Sequence, residues 1–311
     1  MSTNLKPAVE MMLYCASCGK EEEDDIKKLK TCTACKSARY CNVKCQREHR
    51  PQHKRDCKKR VAEIRDEILF KQPESSHLGD CPICCLPLSI DPTKSVLMTC
   101  CSKAICRGCD YAHDRRISEQ SLEWKCPFCR HHSPKSDEEI KMNIMKRVKA
   151  NDPVAIREAG IQRFNDGDCK SAFEHWTTSA ELGDTLAHFH ISCLYREGEG
   201  VEKDKKKLLH HLEQAAIGGH TLARHNLGNM EFKNGRHERA IKHWIIATNL
   251  GNDVSLENLK GGFKVGLVSK EDFAAALRAH QAAKDATKSP QREEAEAILQ
   301  KLMAAKASRQ N

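Results

Sequence analysis

The chain has 311 residues, of which 52 are lysine or arginine, 43 are acidic and 18 are cysteine. A chain of this length is expected to form two or three domains. No stretch approaches the ~20 apolar residues of a membrane span, and the N-terminus lacks a basic start followed by an apolar run. We therefore expect no membrane association and an intracellular protein, cytoplasmic or nuclear.

The cysteines are concentrated in the first half of the chain, and only Cys169 and Cys193 lie beyond Cys129. In a reducing compartment, clustered cysteines are more often metal ligands than disulfides. The formal charge of +9 suggests a nucleic-acid partner. Fifteen thiolates that hold four zinc dications would lower this charge to about +2. Nucleic acid is therefore not the favoured partner.

The first zinc module, which we place at residues 12–60, contains two C-x-x-C pairs, one C-x-x-x-C pair and one H-x-x-x-C pair. A structural zinc ion takes four such ligands, so eight complete two sites. The wider spacing of the last two pairs fits a helix, because residues four apart lie on one face. The candidate ligands are Cys15, Cys18, Cys32, Cys35, Cys41, Cys45, His53 and Cys57.

The ligand spacing and the segment ARYCNVKCQREH at residues 38–49 resemble a MYND zinc finger. The resemblance implies interleaved sites, one formed by Cys15, Cys18, Cys41 and Cys45 and the other by Cys32, Cys35, His53 and Cys57. The segment Lys44–Arg60 is densely basic. We interpret it as a solvated helix face, and the alternative is a phosphate-binding surface.

Residues 61–80 are predicted to form a helix followed by a linker. Apolar residues at positions 61, 64, 68 and 69 form a helical stripe, and Pro73 and Gly79 indicate a linker.

The second zinc module, residues 78–133, contains four further cysteine pairs. Two thiolates in a C-x-x-C pair form one edge of a tetrahedral zinc site, so four pairs form two sites. The candidate ligands are Cys81, Cys84, Cys100, Cys101, Cys106, Cys109, Cys126 and Cys129.

The order and the loop lengths of these pairs resemble an all-cysteine RING finger. The resemblance implies crosswise pairing, with Cys81, Cys84, Cys106 and Cys109 on one zinc and Cys100, Cys101, Cys126 and Cys129 on the other. In that family the third and fourth ligands are not adjacent, whereas Cys100 and Cys101 are. Both reach one ion only across a sharp turn. The alternative is that one of them is spare and that Cys85 or His113 takes its place.

The same resemblance implies a role in ubiquitin transfer. RING ubiquitin ligases do no covalent chemistry; they bind a ubiquitin-loaded conjugating enzyme and position its thioester. The matching partner-binding residues are Ile83 and Trp124 as apolar contacts, Pro127 beside the last pair, and Arg130 as a cation that bridges enzyme and ubiquitin. The alternative is that Ile83 and Trp124 fill a small core and that Arg130 is solvated.

Residues 134–151 are predicted to form a linker helix, and from residue 152 the sequence repeats with periods of 36 and then 32 residues. Gly183, Gly219 and Gly251 recur where a helix ends. Two columns recur at packing positions: Trp176, Leu212, Trp244 and His280, and Ala172, Leu208, Ala240 and Ala276.

The G-x-G-V-x-x-D segment at residues 198–204 and the recurring A-A-x-x-G helix end resemble Sel-one-like repeats of the tetratricopeptide type. The resemblance implies four helix pairs over residues 152–286, stacked into an all-α solenoid, and residues 287–311 then form a capping helix. The dispersed histidines of this region are expected at surface or solenoid-face positions rather than at a metal site. The predicted architecture is multidomain, with two small zinc-stabilised modules followed by the solenoid.

The sequence contains no phosphate loop, no nucleophile elbow and no acid/base pair, so no catalytic or organic-cofactor residues are predicted. Four structural zinc ions are the expected cofactors, because complete ligand sets leave no open position for a catalytic water. We expect a protein that binds protein partners or peptides. Three hypotheses follow: a RING-type ubiquitin ligase whose repeats recruit substrate, a non-enzymatic adaptor, and a nucleic-acid-associated regulator.

Overall fold

The computed structural model describes residues 14–22 and 28–310. Residues 12, 13 and 23–27 of the predicted first zinc module, and residue 311 of the predicted capping helix, lie outside the described residues. The chain divides between Lys71 and Gln72 into two compact units.

The first unit is built around a small hairpin and one long helix. Strands β1 (Lys30–Thr31) and β2 (Arg39–Tyr40) pair antiparallel, with Lys30 opposite Tyr40. The core beside them consists mainly of buried cysteines, joined by Leu29, Ala38 and Tyr40. So few apolar side chains bury little surface, which is why a module of this size needs metal ions for stability.

Helix α1 (Val43–Leu69) is continuous through the basic segment and through the stripe predicted at residues 61–70. Asn42 begins the helix, because its side chain accepts a hydrogen bond from the backbone N–H of Cys45. Pro51 lies inside α1 without ending it. The predicted helix of residues 61–70 is thus the C-terminal part of a longer one.

The second zinc module is a short hairpin followed by a helix. Strands β3 (Ser95–Met98) and β4 (Lys103–Cys106) pair antiparallel, and helix α2 (Arg107–Glu119) follows directly. Its core combines cysteines with the buried side chains of Leu88, Met98 and Ile105.

Helix α3 (Asp137–Lys149) follows, with acidic residues in its first turn and basic residues in its last, as the helix dipole favours. Eight helices then follow, and they pack as four consecutive pairs. They are α4 (Pro153–Asn165), α5 (Cys169–Glu181), α6 (Thr185–Glu197), α7 (Lys205–Ile217), α8 (Thr221–Lys233), α9 (His237–Asn249), α10 (Asp253–Lys264) and α11 (Lys270–Ala286).

The predicted packing columns form the core of these pairs. In the first column Trp176, Leu212, Trp244 and His280 are all buried. In the second, Ala172, Ala240 and Ala276 are buried and Leu208 is half-buried. Each pair also packs on the next, so the region is an all-α solenoid, as predicted.

The recurring glycines end helices in the left-handed conformation. Gly183, Gly219 and Gly251 have φ of 94°, 85° and 88°. Residues with a Cβ avoid this region, so glycine is the residue that turns the chain back at each of these positions.

The repeat-region histidines do not all lie at the surface, which corrects the sequence-based expectation. His220, His225 and His243 are buried. His220 begins α8, because its Nδ1 accepts a hydrogen bond from the backbone N–H of Ala223 at 3.1 Å. Histidine at these positions is a packing and capping residue.

Helix α12 (Pro290–Gln310) ends the described chain. The sequence predicted a cap on the repeats, but α12 packs chiefly against α2 of the second zinc module. Among residues 14–22 and 28–310, no helix combines the length and the apolar composition that crossing a bilayer requires.

Candidate metal centres and partner surface

The first cluster of the first zinc module joins a turn to the start of α1. Cys15 and Cys18 lie on the turn, and Cys41 and Cys45 flank the helix start at Asn42. The Sγ atom of Cys41 lies 3.7 Å from that of Cys18 and 3.4 Å from that of Cys45. The four predicted ligands are therefore together.

The second cluster joins the turn after β1 to the middle of α1. His53 and Cys57 lie one helical turn apart on the same face of α1. The Sγ atoms of Cys32 and Cys57 are 3.9 Å apart, and His53 Nε2 lies 3.2 Å from Cys35 Sγ. All four residues are buried.

The first cluster of the second zinc module lies at the N-terminus of α2. Cys84 Sγ lies 3.8 Å from Cys106 Sγ. The backbone N–H groups of Cys106 and Cys109 donate to the sulfurs of Cys81 and Cys106, at 3.4 Å each. N–H donors and the positive end of a helix dipole both stabilise thiolate charge.

The second cluster of this module contains the adjacent pair. Cys100 and Cys101 lie in a four-residue turn between β3 and β4, and Ser102 has a positive φ of 55°. The Sγ distances are 3.4 Å between Cys100 and Cys129, and 4.0 Å between Cys101 and Cys126. The sharp turn that adjacency requires is present, and it brings both cysteines to one cluster.

Cys85 and His113, the alternative ligands to one of the adjacent cysteines, lie outside the cluster. Cys85 is exposed and follows the pair Cys81 and Cys84 with a positive φ of 56°. His113 donates from Nε2 to the carbonyl oxygen of Lys125 at 2.7 Å. Within the part of the chain that the structure describes, neither residue belongs to a group of possible metal ligands.

Four of the C-x-x-C pairs share one backbone geometry. The residue after the second cysteine has a positive φ and donates its N–H to the carbonyl of the first cysteine, at 2.8–2.9 Å. This tight turn fixes the two sulfurs relative to each other. The four residues, with φ of 70°, 56°, 56° and 61°, are Gly19, Lys36, Cys85 and Arg130.

The spacing of the ligand atoms fits zinc. A Zn–S bond of about 2.3 Å gives a tetrahedral S–S edge of about 3.8 Å. Within each of the four clusters all ligand atoms lie within 4.8 Å of one another, and the closest S–S pairs are 3.4–4.0 Å apart.

The ionisation of the thiols also points to a cation. Burial opposes ionisation of Cys35, but hydrogen bonds from Ser37, Cys32 and Cys57 together outweigh it and lower the pKa of Cys35 to about 6. Burial and the neighbouring Cys35 and Cys32 raise the pKa of Cys57 to about 11. Burial and Cys129 likewise raise the pKa of Cys100. The negative charge of one thiolate opposes ionisation of the neighbouring thiol. A bound dication offsets this repulsion and allows all the thiols of a cluster to ionise.

The donor sets therefore fit four structural zinc ions, two in each module. Each set supplies four protein ligands, so no coordination position remains for a catalytic water. What these centres provide is folding free energy in modules with small cores.

Three residues outside the predicted sets contact predicted ligand sulfurs, and one of them, Asn42, donates from Nδ2 to Cys41 Sγ at 3.4 Å. Ser37 Oγ donates to Cys35 Sγ at 3.0 Å, and Arg292 donates to Cys84 Sγ at 3.2 Å. Ser37 lies two residues after a ligand and could have been considered from sequence. Arg292 is 208 residues from Cys84, and no local pattern identifies it.

The predicted partner-binding residues surround the pairs of the second zinc module. Ile83, between two ligands, is 41% exposed, and Arg130 is exposed directly after the last ligand. Pro127 is half-buried, and its neighbour Phe128, which the sequence analysis did not single out, is 43% exposed.

The side chain of Trp124 is less exposed than those of Ile83 and Arg130. Its Nε1 donates to Asp114 at 2.6 Å, and its ring packs edge-on against His113 at 5.5 Å between centroids. It packs against the core of the second zinc module while remaining half-buried.

The basic segment of α1 is largely solvated. The side chain of Lys44 is 84% exposed and lies 4.0 Å from Glu48. His49 stacks on His53 at 5.6 Å between centroids and hydrogen-bonds with the hydroxyl of Tyr40 at 3.1 Å. His49 thus supports the predicted ligand His53 rather than joining the cluster.

Comparisons with known proteins match part of the chain. No curated protein sequence shows a significant match. A solved Sel1 repeat protein from Oxalobacter formigenes is 25% identical, with a TM-score of 0.41 over 49% of this chain and 66% of its own length. A protective antigen of uropathogenic Escherichia coli that displays an SLR fold is 19% identical, with a TM-score of 0.40 over 55% of this chain and 36% of its own. This chain thus spans less than two thirds of either protein. The family model that matches is the MYND finger, at residues 15–57, and the chain carries a MYND finger there.

Proposed function

We propose that this zinc-binding protein acts through protein–protein contacts and that its second zinc module engages a ubiquitin-conjugating enzyme, as a RING-type ligase does. The sixteen clustered cysteine and histidine residues are the proposed zinc ligands. The proposed cellular site is the cytoplasm or nucleus, because reduced thiols are needed for metal binding.

The observation that carries the ligase proposal is the presentation of Ile83. Ile83 lies between Cys81 and Cys84, which are proposed ligands of one cluster, so the backbone that bears Ile83 is fixed, yet its side chain is 41% exposed. A rigidly held, exposed aliphatic side chain is suited to a partner's pocket, because little conformational entropy is lost on binding.

Arg130 adds a cation beside the same surface. Its left-handed backbone, with φ of 61°, is fixed by the hydrogen bond from its N–H to the carbonyl of Cys126 at 2.8 Å. A guanidinium carried on this fixed backbone can donate charge-assisted hydrogen bonds to a partner and help to hold a thioester-linked ubiquitin in a reactive arrangement.

The repeats supply the proposed substrate-recruiting surface. Stacked helix pairs form extended surfaces that bind peptides or proteins without chemistry of their own.

The second candidate is a non-enzymatic adaptor. It is favoured by Trp124, which is engaged by Asp114 and His113 and therefore has less surface to offer a conjugating enzyme. A nucleic-acid-associated regulator is the weakest candidate, because the side chain of Lys44 is already near an acid and the metallated chain carries little net charge.

The deciding experiment is ubiquitin discharge from a panel of charged conjugating enzymes, with full-length protein whose zinc content has been measured. The ligase proposal expects faster discharge from at least one enzyme, and no acceleration with Cys126→Ser, which removes a proposed ligand. Failure to accelerate discharge from any enzyme, with four zinc ions bound, would leave the adaptor as the function.

A further inference from the structure

The C-terminal helix is joined to the second zinc module by several polar contacts. Gln291 Nε2 donates to the carbonyl oxygen of Gly108 at 3.0 Å. Two ion pairs extend the contact along α12, Arg115 with Glu294 and Lys94 with Glu296, each at 2.9 Å. Exposed pairs of this kind contribute little individually, so they fix orientation more than they supply stability.

The contact is closest at Gly108, the second residue of α2. A Cβ on Gly108 would lie 2.8 Å from Cγ of Arg292 and 3.0 Å from its Cα. Only glycine allows this approach. Gly108 lies between Cys106 and Cys109, so α12 meets the module at two proposed ligands of one zinc ion.

The guanidinium of Arg292 is directed at the same cluster. Its Nη2 donates to Cys84 Sγ at 3.2 Å and to the carbonyl of Leu86 at 3.1 Å. Its Nη1 donates to the carbonyls of Pro87 and Thr287 at 2.7 and 2.8 Å. One side chain thus ties together a ligand sulfur, the segment after it, and the loop before α12.

Charge favours this arrangement. Four thiolates around one zinc dication carry a net charge of about −2. A guanidinium hydrogen-bonded to one of the sulfurs offsets part of that charge and orients the ligand. In the described part of the chain, the guanidinium of Arg292 donates such a hydrogen bond to the sulfur of Cys84.

We propose that Arg292 is an outer-shell partner of the zinc site formed by Cys81, Cys84, Cys106 and Cys109, and that docking of α12 and occupancy of this site stabilise each other. The inference rests on the ligand set proposed above. Because coupling between two equilibria is reciprocal, loss of the helix contact must weaken zinc binding, and loss of zinc must loosen the helix. The C-terminal end of the repeats is thereby fastened to the second zinc module in a metal-dependent way.

The forward test measures zinc release from the full-length protein to an excess of a chromogenic chelator. Arg292→Ala is expected to lower the zinc affinity of this one site by about 10–100-fold, the usual effect of removing an outer-shell partner. One of the four zinc equivalents should therefore pass to the chelator more readily than in the wild type. Arg292→Lys keeps the charge but loses the planar fork, so an intermediate effect is expected. Arg278→Ala removes an exposed arginine of α11 and should release zinc as the wild type does.

The reverse test measures backbone hydrogen exchange of α12. Cys81→Ser, which removes a ligand of the proposed site, is expected to speed exchange over residues 290–305. Cys35→Ser, in the first zinc module, is expected to leave that exchange unchanged. Circular dichroism of each variant establishes that the repeats remain helical.

Two outcomes would overturn the inference: zinc release from Arg292→Ala at the wild-type rate, or unchanged exchange of α12 in Cys81→Ser. Elemental analysis distinguishes the causes. Fewer than four zinc ions in the wild type would show that the ligand set itself is incorrect, whereas four ions without coupling would refute only the role of Arg292. Absence of ubiquitin discharge bears on neither result.

Discussion

Gly160 and Trp176 lie so close that a Cβ on the glycine would be 2.5 Å from the indole Nε1. Gly228 and Trp244 repeat the relationship with the same 2.5 Å separation. The first helix of each of these pairs therefore approaches the tryptophan of the second at a distance that only glycine permits. In these two helix pairs, the tryptophan of the packing column and the glycine that faces it form one packing contact.

Gly160→Ala is expected to destabilise the repeats by about 1–3 kcal/mol, the usual cost of overpacking a core. Gly261→Ala is the matched control, because this glycine is also inside a helix but a Cβ added to it would meet no atom of the described residues within 4 Å. Its substitution should stabilise α10 by up to about 1 kcal/mol, through helix propensity. Urea denaturation followed by tryptophan fluorescence measures both, and equal effects of the two variants would refute the packing argument.

Zinc content tests the ligand assignment. Elemental analysis of the wild type should give about four zinc ions per chain, as the four clusters predict. Cys57→Ser should lose one zinc ion and destabilise the first zinc module, because a structural metal contributes folding free energy directly. Cys85→Ser should retain all four. A wild-type value near two, or loss of zinc from Cys85→Ser, would contradict the assignment.

Much of the fold and of the candidate metal sites could be predicted from the sequence, because the signals for them are local. Ligand spacing determined which cysteines fall into pairs, and Gly183 or Gly219 marks a helix end through its own backbone preference. The positions of Trp176 and Trp244 follow from helical periodicity. In each case the signal lies within one or two turns of the residue that it describes.

Other features depend on contacts between distant segments. The burial of His220 could not be predicted, because an isolated histidine has no pattern that separates capping from solvation. The docking of α12 on α2 depends on Arg292, which is far from Cys84 along the chain. The continuity of α1 past Arg60 has no local signal either, because the metal-ligand pattern ends at Cys57 and the apolar stripe begins at Val61.

Two substitutions in the second zinc module should separate binding from catalysis if it is a ligase. Ile83→Ala should weaken binding of the conjugating enzyme by about 1–3 kcal/mol, the scale of an interface hot spot. Arg130→Ala should slow ubiquitin discharge while affinity for the uncharged enzyme stays nearly intact, because the cation acts on the loaded complex.

The control for both is Leu122→Ala, an exposed apolar residue of the same module outside the predicted contact set. Titration calorimetry and single-turnover discharge measure the two effects, with zinc content verified for every variant. Loss of affinity in Arg130→Ala as large as in Ile83→Ala would contradict the division of roles.

The contact between His77 and His220 should make the repeats sensitive to acid. The two rings lie 4.3 Å apart, and burial lowers the pKa of His77 to about 4 and that of His220 to about 2. An unfolded histidine has a pKa of about 6.5, so below this pH the unfolded state binds protons that the folded state does not. Stability is therefore full above about pH 6.5 and falls as the pH decreases towards 4.

His220→Asn should reduce this pH dependence, by up to about 1.4 kcal/mol per pH unit, while asparagine still caps α8. The measurement is hydrogen exchange over residues 221–233 at pH 7.5 and 5.5, corrected for intrinsic rates. His210→Asn, at an exposed position on α7 away from this contact, is the control. An unchanged pH dependence in His220→Asn would show that His220 is not the titrating group.

The backbone shared by the C-x-x-C pairs has a consequence for protein engineering. Lys36 and Cys85 adopt a left-handed conformation that costs a residue with a Cβ roughly 1–2 kcal/mol. Asparagine tolerates this conformation better, so Lys36→Asn and Cys85→Asn are candidates for raising the thermal tolerance of each module without touching a ligand. The second replacement would also remove an exposed thiol that is open to oxidation, which would lengthen the shelf life of the purified protein.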